Sequence, residues 1–117
     1  MTPDDMVVVD SEGKIIEGDR GPSSDTASHL YVYRRRDDIR SIVHTHSTFA
    51  TAWAATGQDI PYSLAAVADE FGGPVPCAGY AHIGTEQIGE QVVRFIDQCP
   101  AVRVRKPGVV PWLVYAS

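Results

Sequence analysis

Two histidines separated by one residue, His44 and His46, have the spacing most indicative of chemistry in this sequence. On a β-strand, residues two apart point to the same face, about 6.5–7 Å from each other, so both imidazoles can approach one ion. Neutral imidazole nitrogens suit Zn²⁺, but a catalytic zinc commonly has three protein ligands. The pair therefore predicts part of a metal site at the carboxyl end of a strand. The alternative is two hydrogen-bonded strand histidines that bind no metal.

A second group of polar residues, Ser23, Ser24 and Asp25, stands where a helix is predicted to begin. Free backbone N–H groups and the helix dipole favour an anion at such a position, and a phosphate oxygen would fit there. The alternative is that Ser24 or Asp25 only caps the helix. Asp25 could also reach a nearby cation and complete or tune its shell.

Asp69 and Glu70 follow an apolar run and precede a Gly-Gly-Pro bend. Carboxylates in such places can act as general acids or bases, because burial raises their pKa. The alternative is a pair of solvated turn residues. His29 and His82 have no spacing relation to the histidine pair, and we expect neither to belong to the site.

The segments that must position these residues alternate between strands and helices. The predicted elements are a hairpin at 6–10 and 14–17, a helix from 24 to about 35, a strand at 39–46, helices at 48–56 and 85–98, and strands at 101–105 and 109–115. The segment 60–76 could be helix or strand. In the first helix we expect Ala27, Leu30, Tyr31 and Tyr33 to face the core; in the last, Ile88, Val92, Phe95 and Ile96 form one stripe.

Composition excludes several classes of protein. The 117 residues, 12.7 kDa in all, fit a single domain, 1–117. The net charge of −5 makes a nucleic-acid partner unexpected, and there is no apolar stretch of the roughly 18 residues that a membrane span needs. We expect a cytoplasmic protein. Cys77 and Cys99 have neither disulfide-framework nor metal-site spacing, and we expect both to be buried thiols.

Several stretches together resemble the class II aldolase/adducin family, most closely its L-ribulose-5-phosphate 4-epimerase branch. The resemblance covers about residues 1–106. The matching stretches are Pro22-Ser23-Ser24-Asp25-Thr26, Tyr33-Arg34-Arg35, Ile42-Val43-His44-Thr45-His46-Ser47-Thr48, Ala50-Thr51-Ala52-Trp53-Ala54 and Ile60-Pro61, with further similarity at 2–10 and 74–77.

This resemblance implies an α/β protein with a three-layer α/β/α fold. It also implies a zinc-dependent isomerase that acts in carbohydrate metabolism, in the catabolism of arabinose. The substrate implied is a phosphorylated pentulose, and the reaction is epimerisation of L-ribulose 5-phosphate to D-xylulose 5-phosphate by retro-aldol and aldol steps. It implies a tetramer with sites at subunit interfaces. The same resemblance implies that His44, His46 and Asp25 lie at the Zn²⁺ ion and that Ser23 and Ser24 bind phosphate. It implies that Asp69 is an acid/base residue that one subunit contributes to the site of its neighbour.

The sequence departs from the family pattern near its end. Where the family's third zinc histidine normally stands in an Asn-His-Gly motif, this chain has Lys106-Pro107-Gly108. We therefore expect an incomplete fold that lacks parts at both ends, and little or no activity from the chain alone. Two other functions stay open: a sugar-phosphate aldolase of the fuculose-phosphate type, and a non-catalytic, adducin-like binding domain.

Overall fold

The computed structural model describes residues 2–105 and the strand at 112–116. After a 3-10 turn at Pro3–Asp5, the strands are β1 (Val8–Val9), β2 (Ile15–Glu17), β3 (Ile42–Thr45), β4 (Cys77–Tyr80), β5 (Ala101–Arg105) and β6 (Trp112–Ala116). The helices are α1 (Thr26–Arg35), α2 (Thr48–Ala55), α3 (Ala65–Phe71) and α4 (Gln87–Phe95). These bounds confirm the predicted hairpin and the predicted helices and strands, except that positions 109–111 of the last predicted strand lie outside the described residues. They resolve the ambiguous segment as helix α3.

Four strands form one sheet in the order β3-β6-β5-β4, apart from the β1-β2 hairpin. Strand β6 runs antiparallel to β3 and β5, whereas β4 and β5 are parallel. Strands β3, β4 and β5 therefore point in the same direction and end at the same edge of the sheet. The strand predicted at 39–46 is shorter than expected, because the chain becomes extended in the sheet only at Ile42 and leaves it after Thr45.

One face of the sheet is covered by α4, with α1 packed behind it. Strand β5 contributes Val102 and Val104, both fully buried, to a cluster that includes Ile88 and Val92 of α4 and Val32 of α1. The predicted stripe on α4 is confirmed, since Ile88, Val92 and Ile96 are buried and Phe95 packs against them.

The opposite face of β5 is covered by α2, which contacts the strand through a layer of small side chains. Because side chains alternate along a strand, Ala101 and Arg103 point away from Val102 and Val104, and both are fully buried. The sheet thus lies between helical layers, which confirms the predicted α/β class and its α/β/α layering. None of the helices in the described ranges is long and apolar enough to span a bilayer.

Helix α1 is held against α4 at close range. The Ser28 hydroxyl, fully buried, donates to the Thr85 carbonyl oxygen at 2.8 Å. The expected core face of this helix was wrong: Ser28 and Val32 are its buried residues, whereas Ala27, Leu30 and Tyr31 are only half-buried and Tyr33 is exposed. The face that carries Ser28 and Val32 is buried because it packs against α4. The apolar residues of α1 do not form a clear stripe like that of α4, so the sequence does not indicate this face.

The predicted burial of both cysteines is confirmed for Cys99 and wrong for Cys77. Cys99 is buried beneath the sheet, whereas Cys77, the first residue of β4, is only half-buried. The segment Lys106-Pro107-Gly108, where the family's third histidine is missing, lies outside the described residues.

The C-terminal end of α1 carries a charge cluster with a predictable pH dependence. The Arg36 guanidinium donates two hydrogen bonds to the Asp38 carboxylate, at 2.8 and 2.7 Å, and these lower the pKa of Asp38 to about 2. A carboxyl group whose folded-state pKa is below its unfolded value of 3.8 stabilises the fold above that value. This stabilisation is lost as the pH falls toward 2.

We therefore expect Asp38→Asn to lower the free energy of unfolding slightly at pH 7 and to have almost no effect near pH 2. The effect is small because the pair is solvent-exposed. Urea denaturation at both pH values measures it. Asp37→Asn, at the exposed neighbouring position, is the matched control and should show no such pH-dependent difference. An equal loss at both pH values would contradict the assignment.

Candidate functional site

The histidine pair is positioned by the end of β3 and the beginning of α2. His44 lies within β3, and His46 lies in the two-residue link to α2. The Ser47 hydroxyl caps α2, because it accepts a hydrogen bond from the Ala50 N–H at 3.4 Å. This cap fixes the chain directly after His46.

The two imidazole rings lie side by side. Their centroids are 4.6 Å apart and their planes are tilted by 38°. The His44 side chain is 12% exposed, and His46 is an exposed residue. The structure therefore brings the two rings together at the sheet edge, with one ring sheltered and one facing solvent.

Asp25 reaches the histidine pair from the start of α1. It is the N-cap residue of that helix, and its Oδ2 lies 3.2 Å from Nδ1 of His44. The Asp25 side chain is 21% exposed, so the contact is partly shielded from water. A carboxylate at this distance favours the His44 tautomer with hydrogen on Nδ1, which leaves the lone pair on Nε2. The contact joins α1 to β3 and orients the His44 ring.

The chemistry of these donors suits a divalent cation in part. Two neighbouring imidazoles are ligands that zinc accepts, and a carboxylate behind one ring is a common way to orient it. In residues 2–105 no group of three or more His, Cys, Asp or Glu side chains is gathered closely enough to hold a metal ion. Asp25 contacts His44, and its predicted place at the metal stays a prediction.

The predicted phosphate-binding serines occupy the loop before α1. The Ser23 hydroxyl accepts a hydrogen bond from the Asp25 N–H at 3.2 Å, and its carbonyl accepts one from the Thr26 N–H at 3.0 Å. Ser24 is exposed. The phosphate-binding role of both serines stays a prediction.

Ser23 also lines a cleft of about 360 Å³ between the N-terminal turn, the hairpin and the start of α1. At this cleft the Arg20 guanidinium forms an ion pair with Asp5 at 2.7 Å. Sequence reasoning missed both charged residues because they are 15 positions apart (from 5 to 20) and have no motif spacing. Only the folded hairpin brings them together.

Asp69 lies on α3 and is exposed. A role at a neighbouring subunit's site, as the resemblance implies, is compatible with its exposure and stays a prediction.

The two other histidines behave differently from the pair. His29 is half-buried one helical turn after Asp25, and burial lowers the pKa of His29 while the Asp25 charge opposes this. His82 is exposed, and its ring contacts the Tyr80 ring edge-on at 5.4 Å. Neither is gathered into a metal cluster in the part of the chain that the structure describes.

Known structures share this fold over at least 97% of the chain. An L-fuculose 1-phosphate aldolase is 32% identical with a TM-score of 0.85, and the match covers 100% of this chain and 53% of that one. The L-fuculose-1-phosphate aldolase from Thermus thermophilus is 24% identical with a TM-score of 0.72, over 97% of this chain and 55% of that one. YgbL from Klebsiella pneumoniae, for which aldolase, epimerase and decarboxylase are all named as candidate activities, is 23% identical with a TM-score of 0.69, over 100% and 56%.

The last two similarities show the fold alone. The chain spans about half the length of each of the three proteins. A family model gives the assignment more directly. Residues 1–112 match the model of the class II aldolase and adducin N-terminal domain, nearly the whole of this sequence. Together with the paired histidines at the end of β3, this match shows that the chain belongs to the class II aldolase and adducin family.

Proposed function

We propose that residues 1–117 form part of an enzyme domain that breaks and re-forms a carbon–carbon bond in a phosphorylated ketose. The observation that carries this proposal is the arrangement of His44, His46 and Asp25. Two imidazoles lie with their centroids 4.6 Å apart, and a carboxylate oxygen lies 3.2 Å from one of them. A binding domain without chemistry has no physical need for an imidazole pair with an orienting carboxylate.

His44 and His46 would hold a Zn²⁺ ion, with further donors from outside this pair. When bound, the ion would act as a Lewis acid toward the oxygens of the ketose. Asp25 contributes by orienting the His44 ring. The partial burial of Asp25 and His44 keeps this orienting contact from exchanging freely with water.

The phosphate group would lie at the start of α1, at the cleft lined by Ser23. Backbone N–H groups at a helix N-terminus favour negative charge, and the Ser23 hydroxyl adds a polar group. Arg20 at the same cleft adds positive charge, although Asp5 offsets part of it. We propose that a phosphorylated sugar spans the distance between this cleft and the histidine pair.

Asp69 would exchange a proton with the C4 oxygen of a sugar bound to a neighbouring subunit. Its exposure on α3 leaves the carboxylate available to a second chain. This proposal includes a homo-oligomer, a tetramer as in the intact family, because the acid/base residue and the histidine pair that it serves then come from different subunits.

Two reactions fit this arrangement, and they differ in the fate of the aldehyde fragment. Epimerisation of L-ribulose 5-phosphate retains the fragment and inverts C4; it is favoured by Asp25, since a glutamate usually stands there in the aldolase branch that the sequence also resembles. Aldol cleavage releases the fragment. It is favoured by the 32% identity to an L-fuculose 1-phosphate aldolase over the whole of this chain.

Product analysis separates the two reactions. Purified protein supplied with Zn²⁺ and L-ribulose 5-phosphate should form D-xylulose 5-phosphate if it is an epimerase, detected by a coupled assay. An aldolase would release dihydroxyacetone and glycolaldehyde phosphate. Because Lys106-Pro107-Gly108 replaces the family's histidine motif, we expect turnover well below the common range of about 1–10³ s⁻¹.

A matched reaction with His46→Ala protein controls for contaminating enzymes, because the proposed chemistry depends on that ring. Protein that forms neither set of products and also binds no Zn²⁺ through His44 and His46 would overturn the catalytic proposal. That result would favour the non-catalytic, adducin-like binding domain.

A further inference from the structure

Arg103 is a fully buried guanidinium with incomplete hydrogen bonding. In the middle of β5 it has 0% exposure, and its Nη2 donates to the carbonyl oxygens of Gln58 at 2.7 Å and Val75 at 3.0 Å. Its Nε and Nη1 have no hydrogen-bond partner among the residues described. Leaving charged donors buried and unpaired is costly, so this position favours any anion or acceptor that can reach it.

The side chain registered opposite Arg103 is a cysteine. Cys77 of β4 pairs with Arg103 of β5 in the parallel ladder, and the Arg103 N–H donates to the Pro76 carbonyl oxygen at 3.0 Å. Paired residues on adjacent strands present their side chains to the same face of a sheet. The Cys77 Sγ lies on the α2 side, 3.8 Å from the Ala54 carbonyl oxygen. Cys77 is half-buried, whereas Cys99 is buried.

Cys77 and Asp59 are also the groups whose negative charge would act on the Arg103 guanidinium. Burial lowers the pKa of Arg103, and negative charge on Cys77 or Asp59 acts in the opposite direction. One oxygen of Asp59 already accepts the Cys77 N–H at 2.7 Å. A thiol sulfur is only a weak acceptor, so the unmodified Cys77 leaves the guanidinium poorly satisfied.

We propose that Cys77 is an oxidative modification site for peroxides, and that Nε–H and Nη1–H of Arg103 hold the oxygen of the resulting sulfenate. The sulfur attacks one peroxide oxygen, an S–O bond forms and the O–O bond breaks. The thiol proton passes to the leaving oxygen, so hydrogen peroxide is reduced to water while the sulfur is oxidised by two electrons. Loss of the sulfenic proton to solvent leaves an anion beside the buried cation. This modification is independent of the proposed sugar chemistry.

Mass spectrometry after treatment with hydrogen peroxide and dimedone tests this assignment on the folded chain. Cys99 is the internal reference, because it is buried and burial raises the pKa of its thiol. We expect Cys77 to be labelled at least about tenfold faster than Cys99 in folded protein, and at similar rates in urea. Equal rates in the folded protein would overturn the proposal.

Accessibility alone could also favour Cys77, and substitutions of Arg103 separate that explanation from the charge. Arg103→Met removes the charge and leaves the Gln58 and Val75 carbonyl oxygens without this donor, so circular dichroism first checks that the variant is folded. The variant should slow Cys77 labelling by about tenfold and leave Cys99 unchanged. Arg103→Lys keeps the charge and should label Cys77 faster than Arg103→Met does. Labelling of Cys77 that is unchanged in Arg103→Met, or slowed equally in both variants, would overturn the role of the guanidinium.

Discussion

Replacing His46 by alanine is expected to weaken Zn²⁺ binding by about 100-fold or more, because it removes one of two neighbouring imidazole donors. The His44 ring and its 3.2 Å contact with Asp25 would remain, so the fold should be unaffected. Titration of metal-free protein with Zn²⁺, followed by calorimetry or a competing chromophoric chelator, measures the change. Circular dichroism checks that the variant is folded.

His82→Ala is the matched control for this experiment. His82 is also an exposed histidine that follows a strand ending at the same sheet edge, but its ring contacts Tyr80 rather than the pair. It should bind Zn²⁺ as the unchanged protein does. Equal affinity in His46→Ala protein, or no zinc binding by the unchanged chain, would show that the paired rings are not a metal site.

The histidine pair could be predicted because its geometry is local. Two residues at the end of one strand are held near each other by the backbone alone, so their spacing in the sequence is sufficient. The contact between Asp25 and His44 is different. It joins the start of a helix to a strand 19 positions later (from 25 to 44), and the sequence indicated only that Asp25 could reach a cation. Nothing in the sequence predicts the ion pair of Arg20 with Asp5, because the two residues come together only when the hairpin folds.

The elements of the fold likewise differ in whether local sequence or long-range contact determines them. Helix α4 was predictable with its buried stripe because Ile88, Val92 and Ile96 recur at helical spacing. The buried face of α1 was not, since it is chosen by contact with α4 and one of its two buried residues is the polar Ser28. Arg103 shows most clearly that burial cannot always be predicted from local sequence. An arginine between valines normally indicates a solvent-facing position, but in the fold Arg103 is fully buried and donates to the Gln58 and Val75 carbonyl oxygens.

The second large effect concerns the contact between α1 and α4 at Gly89. A Cβ atom built on Gly89 would lie 2.5 Å from the Ser28 carbonyl oxygen and 2.9 Å from the Tyr31 Cβ. Backbone atoms cannot move aside as a flexible side chain can, so the two helices would have to separate. On helix propensity alone, Gly89→Ala within α4 would stabilise the protein by about 1 kcal/mol.

We expect the opposite sign: overpacking of this kind costs about 1–3 kcal/mol, and separation of the helices also weakens the cluster around Val32 and Ile88. Gly89→Ala should therefore lower the free energy of unfolding by about 2 kcal/mol in urea denaturation. Gly73→Ala is the matched control, because Gly73 has no atom within 4 Å of the added methyl group. It should change stability by less than about 0.5 kcal/mol. A Gly89→Ala protein as stable as the unchanged chain would mean that α1 and α4 do not approach this closely in solution. The helix that carries Asp25 to His44 would then be held by other contacts.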